Sequence, residues 1–204
     1  MANRNSQGFG LRPAMRVGNT PAISGQSKYE IDAGETNAIF NGEPVKVDIS
    51  ASTGGYIVTA AAGTAAVGVL NGVVYTDATT LKPTFSNFYP AATTPANSED
   101  ITAFVIDNPF QQYLASTSAQ LGANAAAIEA QMGRTMGTAA SAGSTLSGQS
   151  SNTLTVGSIH DINNTWRLLR IAEDPSNEDG TAANCTVVVV ANKSQWFGTG
   201  TVSA

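Results

Sequence analysis

The stretch CTVVVVANK, residues 185–193, decides the fold class, because it is a continuous β-branched run that is apolar on both faces. A strand of this kind at an open sheet edge would pair with other chains and aggregate. We therefore expect it at the centre of a sheet, closed within a barrel, or covered by a neighbouring subunit. The preceding segment DPSNEDG, residues 174–180, has the composition of the turn or loop that leads into this strand.

Other segments also have the alternation or the β-branched content of strands. In the first of them Tyr29 and Ile31 share one face of the predicted strand. Two of them contain the dipeptide Asn-Gly, at residues 41–42 and 71–72, which predicts a hairpin in each. The segments are KYEIDA (28–33), AIFNGEPVKVDI (38–49), GYIVTAA (55–61), AVGVLNGVVYTD (66–77), DITAFVID (100–107) and WRLLRIAED (166–174).

Between these strands the sequence predicts one helix and two long loops. The alanine-rich segment 119–133 has helical spacing, whereas residues 135–152 have the Gly, Ser, Ala and Thr content of a loop. We expect the segment 119–152 to be flexible or bound to a partner, and residues 81–100 to form a second loop. The chain is thus predicted to be mainly β, an antiparallel β-barrel or sandwich with an extended N-terminal arm and long loops, in which residues 30–204 form one body.

The N-terminal arm, residues 1–29, differs from the rest in charge: it has four basic and no acidic side chains, against six basic and 15 acidic ones elsewhere. Its Gly, Asn and Pro content predicts little regular structure, so it is either a solvated terminus or a docking arm. Four exposed charge pairs would supply only ~1–4 kcal/mol, so firm docking needs apolar anchors or pairing with a strand edge. The basic residues are Arg4, Arg12, Arg16 and Lys28, and the candidate anchors are Phe9, Leu11, Met15 and Val17.

Composition argues against several classes of function. The chain of 204 residues has 12% charged residues and a net charge of −5, which does not fit sequence-independent binding to nucleic acid. Its single cysteine, Cys185, excludes an internal disulfide, and one His with one Cys cannot form a zinc site. The acidic pairs at 173–174 and 178–179 lack the spacing of a known calcium loop. We expect no cofactor, no secretory signal and no membrane helix, and a protein made in cytoplasm-like conditions.

The residues that could support catalysis do not form a recognisable constellation. His160 is the only histidine, and its neighbour Asp161 would point to the opposite face of a strand. Cys185 opens a strand that we expect to be buried, where a lone cysteine behaves as a small hydrophobe. There is no G-x-S-x-G turn and no glycine-rich phosphate loop. An enzyme is therefore not expected, and a Cys185–His160 pair is the alternative within that class.

Aromatic residues in the 81–95 loop are the strongest candidates for a binding surface. Phe85, Phe88 and Tyr89 either fold back to cover the core or form an exposed patch, for a protein partner or for stacking on sugars. The two tryptophans allow the same alternatives. For Trp166, which lies within a predicted strand, the core is favoured; Trp196 stays open.

A series of recognisable stretches runs in order over nearly the whole chain: GFGLRPAMRVGNTP (8–21), GQSKYEIDA (25–33), AIFNGEPVKV (38–47), AAAGTAAVGVLNGVVYTD (60–77), KPTFSNFYPA (82–91), FVIDNPFQQYLAS (104–116), LLRIAEDPSNEDG (168–180) and TVVVVANK (186–193). They include a Gly-Leu-Arg-Pro start with a Tyr-x-Ile strand, apolar strand pairs, a tyrosine-containing loop, an Asp-x-Pro strand and a closing Pro-x-Asn-Glu turn before the last strand. Together these stretches resemble the small capsid decoration (cement) or minor head proteins of tailed bacteriophages.

This resemblance implies a structural protein of the virion, made in the host cytoplasm and bound to the outer surface of the capsid. It would join neighbouring subunits of the major capsid protein, often as a homotrimer, with no catalytic residues and no direct contact with nucleic acid or a membrane. The expected capsid contacts come from the arm and from the 81–95 loop: Arg4, Phe9, Leu11, Arg12, Met15, Arg16, Phe85, Phe88 and Tyr89. The alternative is a carbohydrate-binding or adhesive module, such as a head fibre or receptor-facing protein.

Overall fold

The computed structural model describes residues 3–18, 20–21, 25–50, 54–96, 99–139 and 143–199. It is mainly β, with 43% strand and 3% helix, arranged as two antiparallel sheets. The predicted fold class is therefore confirmed, and the arrangement is that of a sandwich, since the described residues form no closed barrel. No helix in these ranges is long and apolar enough to span a membrane.

The strands and the single described helix have the following bounds. They are β1 Arg12–Arg16, β2 Thr20–Pro21, β3 Ser27–Ile31, β4 Pro44–Val47, β5 Ile57–Thr59, β6 Gly68–Thr76, β7 Pro83–Ser86, β8 Ile101–Ile106, β9 Gln111–Ser116, α1 Ala125–Glu129, β10 Thr135–Ala139, β11 Thr153–His160, β12 Trp166–Ile171, β13 Thr186–Ala191, β14 Lys193–Ser194 and β15 Gly198–Thr199. Sheet 1 has the order β11-β10-β12-β13-β9-β1-β2, and sheet 2 has the order β3-β8-β6-β4-β5 with β7 also paired to β6. β14 and β15 form a separate two-stranded ribbon.

The valine-rich strand β13 lies at the centre of sheet 1, between β12 and β9, as its apolar faces require. Val187 and Val189 contribute to a core that also contains Tyr113 and Trp166. The rings of Tyr113 and Trp166 meet edge to face, with centroids 5.4 Å apart. The prediction that Trp166 belongs to the core is therefore confirmed.

Sheet 2 encloses a second core, formed by apolar residues on one face of β3, β4, β5, β6 and β8. Tyr29 and Ile31 of β3 both pack on this core, as the alternation predicts. Tyr89, in the loop after β7, covers this core. Its ring is fully buried, and its hydroxyl donates to the Glu35 carbonyl at 2.8 Å. The two sheets join where Val69 and Ile106, from sheet 2, enter the first core.

The N-terminal arm is built into the body, so the expectation of little regular structure there is wrong for residues 12–16. These residues form β1, which pairs with β9 in sheet 1. Leu11 belongs to the first core and is 2% exposed, because its backbone is held between neighbouring segments by a 2.8 Å hydrogen bond to the Gly42 carbonyl. Gly10 permits this close approach: it has a positive φ, and a β-carbon there would lie 2.7 Å from the Gly42 oxygen.

Both hairpins predicted from Asn-Gly dipeptides are wrong. Residues 68–76 form one continuous strand, and Asn71-Gly72 lies at a register shift where β6 pairs with β8. Asn41-Gly42 does form a turn, but Ile39 bridges to Tyr89 and Asn41 bridges to Gln149 instead of pairing with β4. In both cases pairing with segments that are distant in sequence replaces the predicted pairing across the dipeptide.

The middle of the chain also differs from expectation. The helix predicted over 119–133 is reduced to Ala125–Glu129, with Asn124 as its N-cap residue. Within the predicted loop 135–152, residues 135–139 form β10, which lies between β11 and β12. Pro83–Ser86 of the predicted 81–100 loop form β7, and Gln111–Ser116 form β9, a central strand that no local pattern indicated.

We predict that Leu11→Ala destabilises the protein by about 2–5 kcal/mol, because it opens a cavity in the first core. Leu146→Ala is the matched control: this leucine is 97% exposed, and its loss is expected to change stability by no more than ~0.5 kcal/mol. Urea unfolding followed by circular dichroism measures both. Equal stability of the two variants would mean that the arm is not part of the folded body.

Candidate interaction surface

The two residues considered for catalysis, Cys185 and His160, lack the environment that would activate them. Cys185 is fully buried directly before β13, and burial, together with the nearby Asp179 and Glu178, raises the pKa of its thiol to about 12. A thiol with so high a pKa is not a nucleophile near neutral pH. His160 is exposed at the end of β11. Its neighbour Asp161 pairs instead with Arg134, at 3.7 Å.

The acidic residues near β13 organise turns. Asp174 accepts hydrogen bonds from the Ser176 amide at 3.1 Å and from the Asn177 side chain at 2.8 Å. Asp179 accepts from the amide and the hydroxyl of Thr181, at 2.9 and 2.6 Å. Within the described part of the chain, no three His, Cys, Asp or Glu side chains are grouped so that they could hold a metal ion.

The arm residues proposed as capsid contacts divide into exposed and buried positions. The Arg12 guanidinium lies over the Phe9 ring, 4.6 Å from its centroid, and donates to the Gln149 side chain at 3.0 Å. Arg4 and Met15 are exposed, and Arg16 is half-buried. The prediction that Leu11 contacts the capsid is wrong, because its side chain lies in the core and is not available to a partner.

The loop residues divide in the same way. Phe85 is 68% exposed, and its ring lies tilted against that of Phe104, with ring centroids 6.1 Å apart. Phe88 is half-buried because its ring stacks on Phe40 at 5.4 Å. The prediction that Tyr89 contacts the capsid is also wrong, because this residue is buried in the core of sheet 2. Of the two alternatives given for the loop aromatics, Tyr89 follows the one in which the ring folds back to cover the core.

One turn, residues 144–149, lies beside both predicted contact elements. Gln149 accepts from Arg12 of the arm, and the Ser147 carbonyl accepts from the Asn87 side chain of the loop at 2.6 Å. Leu146, in the same turn, is almost fully exposed. The turn therefore connects one exposed residue of the arm, Arg12, with one exposed residue of the loop, Asn87.

A second exposed apolar surface was not predicted as a site. We call it the aromatic end patch, and its members are Val17, Phe110, Trp196 and Phe197, which are 50%, 58%, 54% and 69% exposed. The rings of Phe110 and Phe197 lie 6.3 Å apart, and the Val17 amide donates to the Phe110 carbonyl at 2.9 Å. The patch combines the end of β1, the turn before β9 and the C-terminal segment. No local sequence signal could have revealed it, although Val17 and Trp196 were each singled out.

The segment that carries Trp196 and Phe197 is attached firmly to sheet 2. The Gln195 side chain donates from Nε2 to the Val47 carbonyl at 2.9 Å and accepts at Oε1 from the Val47 backbone amide at 2.7 Å. The Trp196 amide donates to the Ser194 hydroxyl at 3.2 Å. The Trp196 side chain also lies beside Tyr29, whose hydroxyl donates to Asp107 at 2.8 Å. Burial and the Asp107 carboxylate together raise the pKa of Tyr29 to about 12, against a smaller lowering effect of Trp196.

A groove of about 700 Å³ crosses the outer face of sheet 1. Its floor includes Leu114 and Val188, and Met15, Arg170 and Asp174 also line it. A neighbouring hollow, lined by Arg4, Phe9 and Arg12 among others, shares Leu114 and Asp174 with it. The arm therefore borders a continuous concave surface whose polar lining mixes positive and negative charge.

Glu43 is a buried carboxyl at the junction of the arm, residues 40–43 and residues 150–152. It is 6% exposed and accepts a hydrogen bond from the Phe40 amide at 2.9 Å. Burial raises the pKa of Glu43 to about 7, against the lowering effects of Phe40 and Asn152. The same junction holds Gly10, whose amide donates to the Asn152 carbonyl at 3.1 Å.

Comparison with known protein families, with curated proteins and with solved structures finds no significant match to this chain.

We predict that Glu43 lowers the free energy of unfolding as the pH rises from about 4.5 to about 7. The reason is that the folded protein binds the proton of the Glu43 carboxyl more tightly than the unfolded chain does. A shift of this size corresponds to an effect on the order of 3 kcal/mol. Glu43→Gln keeps an acceptor for the Phe40 amide but does not titrate. The variant should therefore lose less stability over this range and exceed wild type above pH 7.

Urea unfolding at a series of pH values measures the effect. Glu99→Gln removes an exposed carboxylate and serves as the matched control. A Glu43→Gln profile that runs parallel to that of wild type would contradict the prediction.

Proposed function

We propose that this protein is a structural virion protein that binds the outer surface of a bacteriophage capsid and joins neighbouring subunits of the major capsid protein. The resemblance of its sequence stretches to capsid decoration proteins supports the class of function. The proposal places the protein on the outer capsid surface, with the major capsid protein as partner and a homotrimer as its expected assembly.

The observation that carries the proposal is that one turn, residues 144–149, touches two contact elements that are distant in sequence: it accepts hydrogen bonds from Arg12 of the arm and from Asn87 of the loop. Phe9 and Arg12 of the arm and Phe85 of the loop keep half-buried or exposed side chains after folding. A body with two such elements can touch two neighbouring subunits at once. A protein that joins two subunits needs two separate contact elements, whereas a protein that binds one small molecule needs only one site.

Each copy needs to contribute only modest binding energy. Exposed charge pairs contribute ~0.2–1 kcal/mol each, and Arg4 and Arg12 are exposed in this structure. On a symmetric lattice many such contacts act together, and a copy held at two points rebinds at a high effective concentration. Capsid stabilisation then follows from the number of bridges and not from the strength of one bridge.

We predict that the purified protein co-sediments with expanded shells of its cognate major capsid protein, saturating at a fixed ratio to shell subunits. Removal of residues 1–29 would delete β1 and Leu11 from the body, so substitutions are the cleaner test of the arm. Arg4→Gln with Arg12→Gln should weaken binding about two- to thirtyfold at low salt, the equivalent of two exposed charge pairs.

Arg134→Gln, which removes an exposed arginine outside the arm, is the matched control and should bind as wild type does. Absence of wild-type binding at every salt concentration would overturn the proposed function. Binding that is equally strong in the double variant would retain the function and exclude the arm arginines as a contact.

A further inference from the structure

We propose that the aromatic end patch is a docking surface for an uncharged apolar recess on the partner protein. The inference rests on the proposed function, since it takes the capsid shell as the partner, and it adds a contact whose three aromatic residues lie outside the arm and the 81–95 loop. It is carried by the exposure of Phe110, Trp196 and Phe197 together with the rigid attachment of the segments that hold them.

The patch is organised before any partner binds. Gln195 forms two hydrogen bonds with the Val47 backbone, and the Trp196 amide is held by the Ser194 hydroxyl. Phe110 follows a turn in which its own amide donates to the Asn108 side chain at 2.9 Å. Side chains presented on fixed backbone lose little conformational freedom on docking, and exposed aromatic residues held in this way are typical binding hot spots.

The geometry favours a protein surface over a sugar. The rings of Phe110 and Phe197 are tilted by 48°, so they do not form a flat platform for a sugar ring. The polar side chains next to the patch are engaged within the protein: Asp107 accepts from Tyr29, and Asn108 accepts from the Phe110 amide. Small-molecule sites need a few polar groups aimed at the ligand, which this arrangement does not provide.

Size and charge identify the kind of partner more closely. Aromatic side chains of ~150–250 Å² each, exposed to this extent, present roughly 400 Å² of apolar surface. A two-fold contact between two copies of the patch would bury roughly 800 Å², less than the ~1,200–2,000 Å² of stable interfaces. A partner that binds many copies at once removes this shortfall. None of the four side chains is charged, so the partner's recess is expected to be apolar and the contact insensitive to salt.

Hydroxyl-radical footprinting tests the proposal on the full-length protein, free and bound to expanded shells of the cognate major capsid protein. Labelling of Phe110, Trp196 and Phe197 is expected to fall at least threefold on binding. Ile49, which is 89% exposed and belongs to neither the patch, the arm, the 81–95 loop nor the 144–149 turn, is expected to stay fully labelled and serves as the internal control. Unchanged labelling of the three aromatic residues on shell-bound protein would overturn the proposal.

A matched pair of variants supplies the second measurement. Phe110→Ser with Phe197→Ser changes two exposed positions of the patch, and Ile49→Ser changes one exposed position outside the patch and outside the other proposed contacts. At high salt, where the arginine contacts are screened, the patch variant should bind shells at least tenfold more weakly, and the control variant should bind as wild type does. Circular dichroism and thermal unfolding verify that both are folded.

The outcomes separate the two proposals. If wild type fails to bind shells at any salt concentration, the proposed function is wrong. If wild type binds and the patch variant binds equally well, only the role of the patch is wrong. Protection of Trp196 by soluble glycans, or concentration-dependent self-association of the free protein that the patch variant abolishes, would also overturn this inference, in favour of a sugar or of a second copy.

Discussion

The structure depends on the need to bury a strand that is apolar on both faces. Val187, Val188 and Val189 are all buried, although successive side chains of a strand point to opposite sides. Val187 and Val189 pack into the first core, while Val188 pairs with Leu114 of β9 and Arg170 of β12 on the outer face. This requirement places β13 between two partners, and β9 in turn accepts β1 on its other side.

The same requirement explains why the N-terminal segment belongs to the body. Its β1 extends the sheet beyond β9, and Leu11 fills the first core. Nearer the N-terminus the Asn5 amide donates to the Asn177 side chain at 2.7 Å, in the turn that leads into β13. The basic residues of the segment are thereby held at defined positions on the folded body, so the proposed contacts with a shell do not require the arm to fold on binding.

Sequence reasoning succeeded where one segment contains its own signal, as for β3, β12 and β13. It failed where tertiary pairing overrode a local signal: β6 continues through Asn71-Gly72 because β7 and β8 pair along both of its edges. It could not separate a docking anchor from a core residue, since Leu11 and Tyr89 have the same apolar character in either role. The sequence could not predict the aromatic end patch, because Val17, Phe110 and Phe197 meet only after three distant segments have folded together.

The most direct test of the central claim, that a rigid two-sheet body docks on a repeating shell, is a cryo-electron microscopy reconstruction of shells saturated with the protein. We expect ordered density for the whole body, with β1 paired within sheet 1 and the end that carries Phe110, Trp196 and Phe197 turned towards the shell. An N-terminal segment that leaves the body to enter the shell, or a body whose aromatic end faces solvent, would contradict this claim.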